Sequence, residues 1–285
     1  MSSSPRVFVV TGANKGIGKS IVKLFLQDKE EKIVYLTARN EELGLQTVKE
    51  FEQNGLKPRF RQLDITDQNS IDRLRDHLQK EHHGIDVLVN NAGIAYSNAS
   101  TIPFGEQADT TTKCNFFGTL SVCEALFPLL RRNARVVHVS SGAGTRGYEA
   151  LSAEMKGKFS DPNLPIQDLK DLINVFVQAA RDNQVTEKGF KQNAYGISKL
   201  GQIVLASIQQ RQFDSNKPEQ NILVNSCTPG FVDTDMTQHM IANNKKTVDE
   251  GADTPVYLAL LSPDVKEPRG KFLRSREVEA FPPTN

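Results

Sequence analysis

The chain has 285 residues, 35 Lys and Arg against 34 Asp and Glu, and a formal net charge of +1, a balance that argues against nucleic acid or an anionic membrane surface as the main partner. The length suits one well-buried α/β domain over 1–285, and no break in composition calls for two. No apolar run approaches the ~20 residues of a membrane span, the N-terminus lacks a charged-then-apolar signal region, and Cys114, Cys123 and Cys227 are odd in number and unpatterned. A cytoplasmic protein of a reducing compartment is expected.

The apolar run 7–10 predicts a buried first strand, and Thr11-Gly12-Ala13-Asn14-Lys15-Gly16-Ile17-Gly18 follows it directly. Ile17, Ile21, Leu24 and Phe25 then recur at helical spacing, which predicts a helix over 17–27. A strand, a glycine turn and a helix N-terminus make an anion-binding site. Glycines admit a pyrophosphate close to the backbone, and the exposed amides and helix dipole favour its charge. Further strands are predicted over 33–36, 87–89 and 135–139, with a shorter candidate over 59–65, and helices over 41–54, 70–82 and 113–130. Beyond them come a helix from Tyr195 to about Arg211, a strand over 222–227, a helix near 251–261, an edge strand over 270–273 and a tail, 282–285, expected to fray. This alternation requires right-handed crossovers and a sheet covered on both faces, a doubly wound Rossmann-type parallel fold.

Tyr195 and Lys199 stand at i, i+4, so on a helix they lie over one another. A phenol titrates near ~10, and a neighbouring ammonium is expected to lower that value and tune Tyr195 for acid-base work.

The Gly12-to-Gly18 pattern, Asn90-Asn91-Ala92-Gly93, Ser140-Ser141, the Tyr195-Lys199 pair and Pro229-Gly230 occur in that order and together resemble the short-chain dehydrogenase/reductase family from about 6 to about 272. The resemblance implies four catalytic residues. Tyr195 would give a proton to a carbonyl oxygen, Ser141 rather than Ser140 would orient that oxygen, and Lys199 would lower the Tyr195 pKa and bind the nicotinamide ribose. Asn115 would hold a relay water through its backbone carbonyl. The resemblance further places Gly12, Asn14, Lys15, Gly16, Ile17 and Gly18 at the cofactor phosphates, Asp64 and Ile65 at the adenine, Asn90 beside the adenosine ribose, and Val232 and Thr234 at the carboxamide. Asp64 equally suits a cap on the segment that follows it.

Cofactor choice has its own physical argument. An NAD site usually carries an acidic residue ~20 residues past the glycines, whereas here the second strand ends Leu36-Thr37-Ala38-Arg39-Asn40. Arg39 offers a fork to a 2′-phosphate and Lys15 a second charge, so NADPH is expected over NADH.

Fifty-four positions separate Ser141 from Tyr195, where most of the family keeps the two close. The extra segment, about 147–191, places Leu169, Leu172, Ile173, Phe176 and Ala180 on one helical face. Members of the family with such an insertion resemble the carbonyl reductases, whose inserted helices cover the surface others use to oligomerise. The resemblance therefore implies a monomer. The small residues Gly142-Ala143-Gly144, with Phe231 and the insertion, leave room for a bulky small-molecule carbonyl substrate such as a quinone, aromatic ketone or aldehyde. A glutathione patch in those relatives matches Ala95-Tyr96-Ser97, Gln107 and Tyr195. Their Cys-Cys pair is Cys227-Thr228 here, and Cys227 reads as an inert strand residue. A specific steroid, prostaglandin or retinoid substrate, or a catalytically idle NADPH sensor, are the alternative readings.

Overall fold

Strands buried on both faces read as continuous apolar runs, and residues 7–10 and 87–89 are all at most 1 % exposed. In a computed structural model, which describes residues 5–97, 99–240 and 243–282, these runs form the middle of one sheet. The expected fraying at 283–285 falls outside the described residues. β1 (Arg6–Val10) leads to α1 (Gly16–Gln27), β2 (Lys32–Ala38) to α2 (Glu41–Gln53), and β3 (Arg59–Gln62) to α3 (Gln68–His82). β4 (Ile85–Asn90) leads to α4 (Phe104–Thr112), a π-helical turn (Lys113–Gly118) and α5 (Thr119–Leu126). After β5 (Leu130–Val139) come α6 (Gly142–Glu149), α7 (Ala153–Phe159), α8 (Ile166–Arg181) and α9 (Ala194–Asn216). β6 (Leu223–Thr228), α10 (Val248–Ala259) and the hairpin of β7 (Phe272–Arg274) and β8 (Glu277–Glu279) complete the chain.

The strand order is β3-β2-β1-β4-β5-β6-β7-β8, parallel throughout except for the antiparallel β7–β8 pair. The order reverses between β1 and β4, the switch point at which doubly wound sheets open a crevice for ligands. Alternate residues of each strand face opposite sides. Val7, Val9 and Leu88 pack with Leu74, Val122 and Phe213 on one face, and Phe8, Val10 and Val87 with Ile21, Phe25 and Leu258 on the other. A third cluster joins Leu169, Ile173 and Phe176 of α8 to Phe116, Leu200 and Val204. The amphipathic face of the inserted segment is thereby spent on the core. Among the described residues no helix is long and apolar enough to cross a membrane.

Several elements differ from expectation for local reasons. The single helix expected over 113–130 is the π turn and α5, then a 3-10 turn (Phe127–Leu129) containing Pro128, and α4 precedes it. The strand β5 begins at Leu130 because proline cannot continue the helix. α4 hides behind the Thr110-Thr111-Thr112 run, which has weak helix propensity, and α6 behind three glycines. The β7–β8 hairpin turns through Ser275 and Arg276 at φ of 51° and 67°, a conformation usually signalled by Asn-Gly.

Arg135 is the largest fully buried side chain, 1 % exposed. Its guanidinium donates to Leu261 O, Ala134 O, Asn221 O and Ser262 O at 2.6–3.2 Å, tying β5 to the approach to β6 and to the end of α10. Burial lowers its pKa to about 10, so it stays charged at neutral pH. Arg135→Met would strand those carbonyls, and urea unfolding should register a loss on the order of 3 kcal/mol.

Candidate active site

The glycine loop is laced to the end of β4. Asn91 Nδ2 donates to Thr11 O and Gly12 O at 3.0 Å, and Thr11 Oγ1 accepts from the amides of Asn91 and Ala92 at 3.0 Å. Gly12 and Gly16 adopt φ of +62° and +55°, which a β-carbon disfavours. A Cβ on Gly12 would lie 2.8 Å from Ala92 Cα, and one on Gly18 would lie 2.5 Å from Gly12 O. The N-terminus of α1 has no side-chain cap and no acidic residue in its first turn. Its amides, with those of Asn14, Lys15 and Ile17 before and within the turn, are left to an anion, and this donor set fits a dinucleotide pyrophosphate.

Arg39 is exposed at the end of β2 and has no ion pair among the described residues. Lys15 differs from expectation: its ammonium is paired with Asp235 at 2.7 Å, both side chains about two-thirds exposed (68 % and 67 %). Arg39 is thus the better-placed cation for a 2′-phosphate. Asp64 Oδ1 accepts from Thr66 N at 2.9 Å and Thr66 Oγ1 at 2.7 Å, a local turn ahead of α3, whose N-cap is Asp67 and not Asp64, while Ile65 is buried against Gly118. Asn90 is 2 % exposed. Its amide nitrogen turns inward to His138 Nδ1 at 3.2 Å and Cys123 Sγ at 3.3 Å, while Oδ1 is buried with no hydrogen-bond partner among the described residues. Val232 packs its side chain against Gly251, Thr234 lies 3.6 Å from the Cβ position of Gly16, and the Val232 carbonyl accepts from Thr237 Oγ1 at 2.5 Å. The loop after β6 therefore rests on the glycine loop.

Beside this cleft lie the four residues expected to be catalytic. Ser141, the N-cap of α6, accepts from Ala143 N at 3.1 Å, and its hydroxyl faces the Tyr195 phenol. Ser140 instead donates to Lys199 O at 2.8 Å. Tyr195 is half-buried, with Lys199 Nζ 5.7 Å from its ring centre. Burial raises the phenol pKa above its ordinary value, opposed by the nearby Ser141 hydroxyl and the charge of Arg146. The expected lowering by Lys199 is not found, and the reason is physical. Burial pushes Lys199 itself down to about 8, so it is uncharged where a phenol titrates.

Asn115 sits in the π turn and is fully buried; such single turns often mark functional sites. Its side chain accepts from Ile94 N at 2.8 Å and donates to Ile94 O at 2.9 Å and Ser198 Oγ at 3.0 Å. The carbonyl expected to hold a water accepts from Gln202 Nε2 at 2.7 Å and Thr119 Oγ1 at 2.8 Å, which uses both its lone pairs. Gln202, Thr119 and Ser198 escaped the reading of the sequence. The one available signal was Gln202, three residues after Lys199 on the same helical face.

Of the expected substrate residues, Ala143 is 9 % exposed, and Phe231 is half-buried with Lys245 over its ring at 5.8 Å. Ala95, Tyr96 and Ser97 are half-buried. Gln107 donates to Ile102 O at 2.7 Å. Cys227 is fully buried in β6, and burial raises its thiol far above the ordinary value, which makes it unreactive.

Residues 6–158 match the short chain dehydrogenase family. The chain is 45 % identical to carbonyl reductase (NADPH) 3 of Rattus norvegicus over 281 residues, 99 % of this chain and 100 % of the relative. It is 44 % identical to carbonyl reductase (NADPH) 1 of Homo sapiens over 285 residues, again 99 % and 100 %. Among solved structures, salutaridine reductase from Papaver somniferum superposes with a TM-score of 0.82 at 28 % identity, covering 94 % of this chain and 99 % of that one.

Gly18→Ala places a methyl 2.5 Å from both Asn91 Nδ2 and Gly12 O. Dinucleotide affinity measured by calorimetry should fall at least tenfold, ~1.4 kcal/mol, with helix content unchanged. Unaltered affinity would refute the fit.

Proposed function

The chain belongs to the short chain dehydrogenase family, and from that premise we propose that it reduces carbonyl compounds to alcohols with NADPH, using Asn115, Ser141, Tyr195 and Lys199. The observation that carries the proposal is the buried Lys199 ammonium 5.7 Å from the Tyr195 ring centre, with Ser141 facing the same phenol, at the edge of a cleft whose glycine loop fits a pyrophosphate. NADPH, when bound, supplies the hydride. Tyr195 supplies the proton, from its phenol oxygen to the substrate oxygen as negative charge develops there. A phenol kept above its ordinary pKa by burial is fully protonated at neutral pH, which suits reduction. Ser141 Oγ lies against the same phenol and donates to the substrate oxygen, holding it within reach of the proton. Lys199 braces the helix turn that carries Tyr195 and meets the cofactor ribose. Arg39 receives the 2′-phosphate, and the glycine-loop residues, Asp64, Ile65, Asn90, Val232 and Thr234 frame the rest of the cofactor.

Gly142 and Gly144 differ from expectation, since they admit Arg274 and the α9 backbone rather than a ligand, and it is the small Ala143 with the half-buried Phe231 that supports bulky, largely apolar substrates: quinones, aromatic ketones and aldehydes. Ala95, Tyr96, Ser97 and Gln107 are proposed as the patch for glutathione or its adducts. The α8 face spent on Phe116 and Leu200 supports a monomer, and the three free thiols support a cytoplasmic setting.

The test is NADPH consumption with a quinone, an aromatic aldehyde, an aliphatic aldehyde and a keto-steroid. Tyr195→Phe should lower kcat by at least ~100-fold while NADPH still binds. Reduction of the keto-steroid alone would point to a narrow substrate, and NADPH binding without any turnover to a sensor. Arg39→Asp should reverse the preference for NADPH over NADH, by at least tenfold in kcat/KM or ~1.4 kcal/mol. Equal efficiency with both cofactors in the parent protein would overturn the Arg39 assignment.

A further inference from the structure

Gln202 lies on α9 one turn beyond Lys199 and is 0 % exposed. Both ends of its amide are in use. Oε1 accepts from Lys199 Nζ at 2.9 Å, and Nε2 donates to Asn115 O at 2.7 Å and Thr119 Oγ1 at 3.0 Å. Thr119 Oγ1 in turn donates to Asn115 O at 2.8 Å. This ring decides which way the amide faces. The opposite flip would set an NH₂ against the ammonium and an oxygen against a carbonyl, so one orientation satisfies both neighbours.

We infer that Gln202 is a positioning residue for carbonyl reduction: its amide braces the Lys199 ammonium between the end of β5 and the π turn, an inference that rests on the reductase reading above. Val139 O takes a second ammonium proton at 2.9 Å. An ammonium has three donors, and the third is left beside Gly93, where a Cβ would lie 3.5 Å from Nζ. With two protons anchored in the protein, the orientation of the third is fixed. An amide accepts at oxygen and donates at nitrogen without passing a proton along, so the Lys199–Gln202–Asn115 link is a brace and not a proton path.

The brace also bears on charge. Hydrogen bonds to the ammonium favour the charged form, against burial, which lowers the Lys199 pKa to about 8. The titratable groups facing Lys199 are Tyr195 on its own helix, Cys114 on the π turn, Cys227 on β6 and His138 on β5. Burial raises the phenol and both thiols and lowers His138 to about 4, so around neutrality Lys199 is the group among them that titrates.

The experiment follows Lys199 by NMR of labelled lysine side chains in the full chain without cofactor, alongside the pH profile of kcat. In Gln202→Leu the Lys199 pKa should fall by about one unit. The charged form is then lost at lower pH, and the alkaline limb of kcat should move the same way, with KM for the carbonyl substrate little changed. In Gln202→Glu, where a carboxylate faces the ammonium, both should move upward. A folded Gln202→Leu protein with an unmoved Lys199 pKa, or Leu and Glu variants that shift it in the same direction, would overturn the inference. Should Gln202→Leu fail to fold, the Glu variant decides alone, and absence of an upward shift refutes the brace. The NMR titration needs no turnover, so a failure of the brace is distinguishable from a failure of the reductase reading.

Discussion

Removing an ammonium from water costs several kcal/mol unless hydrogen bonds replace its hydration, and Lys199 is 3 % exposed. Much of the surrounding architecture answers that constraint. The last residue of β5 gives its carbonyl to Nζ, the next turn of α9 gives an amide oxygen, and Ser140 holds the Lys199 main chain through its hydroxyl. The π turn completes the arrangement. Its extra residue per turn lets Asn115 use its side chain on Ile94 and Ser198 while its carbonyl meets Gln202 and Thr119. Ser198 then donates to Tyr195 O at 2.8 Å, so the network that carries the lysine also fixes the backbone of the tyrosine.

The sheet explains why this network meets a nucleotide-shaped cleft. Strand order reverses between β1 and β4, and the glycine loop, Asn91 and Gly93 lie where those two strands end. From the far side, α8 packs its apolar face on α4, α9 and Phe116, which stiffens the helix bearing Tyr195 and Lys199. Burial then acts on both groups in opposite senses, holding a proton on the phenol and loosening one on the ammonium. At neutral pH the site thus presents a protonated donor beside a cation that is still largely charged.

The strands and the longer helices were legible in the sequence because burial on both faces leaves unbroken apolar runs and burial on one leaves helical periodicity. The glycine loop and the Tyr195–Lys199 spacing were legible for the same kind of reason, since backbone approach and helical stacking each dictate residue type at fixed intervals. What stayed hidden was tertiary. Nothing local marks Gln202 as a partner of Asn115 O, 87 positions away, or Asp235 as the partner of Lys15, 220 positions away. The inward turn of Asn90 depends on His138 arriving beside it from β5. α6 and the Ser275–Arg276 hairpin were missed because their residues are poor for the conformations they adopt, and the neighbouring core imposes those conformations.

The central claim is that hydride and proton converge on one carbonyl carbon and its oxygen at this cluster. Its most direct test is reduction of an aromatic aldehyde with NADPH deuterated at both positions of nicotinamide C4, followed by mass spectrometry of the alcohol. The parent protein should place a single deuterium on the carbinol carbon, and Tyr195→Phe should form labelled alcohol at least ~100-fold more slowly. Alcohol formed without deuterium, or labelled alcohol formed at the parent rate by the Tyr195→Phe protein, would contradict the claim.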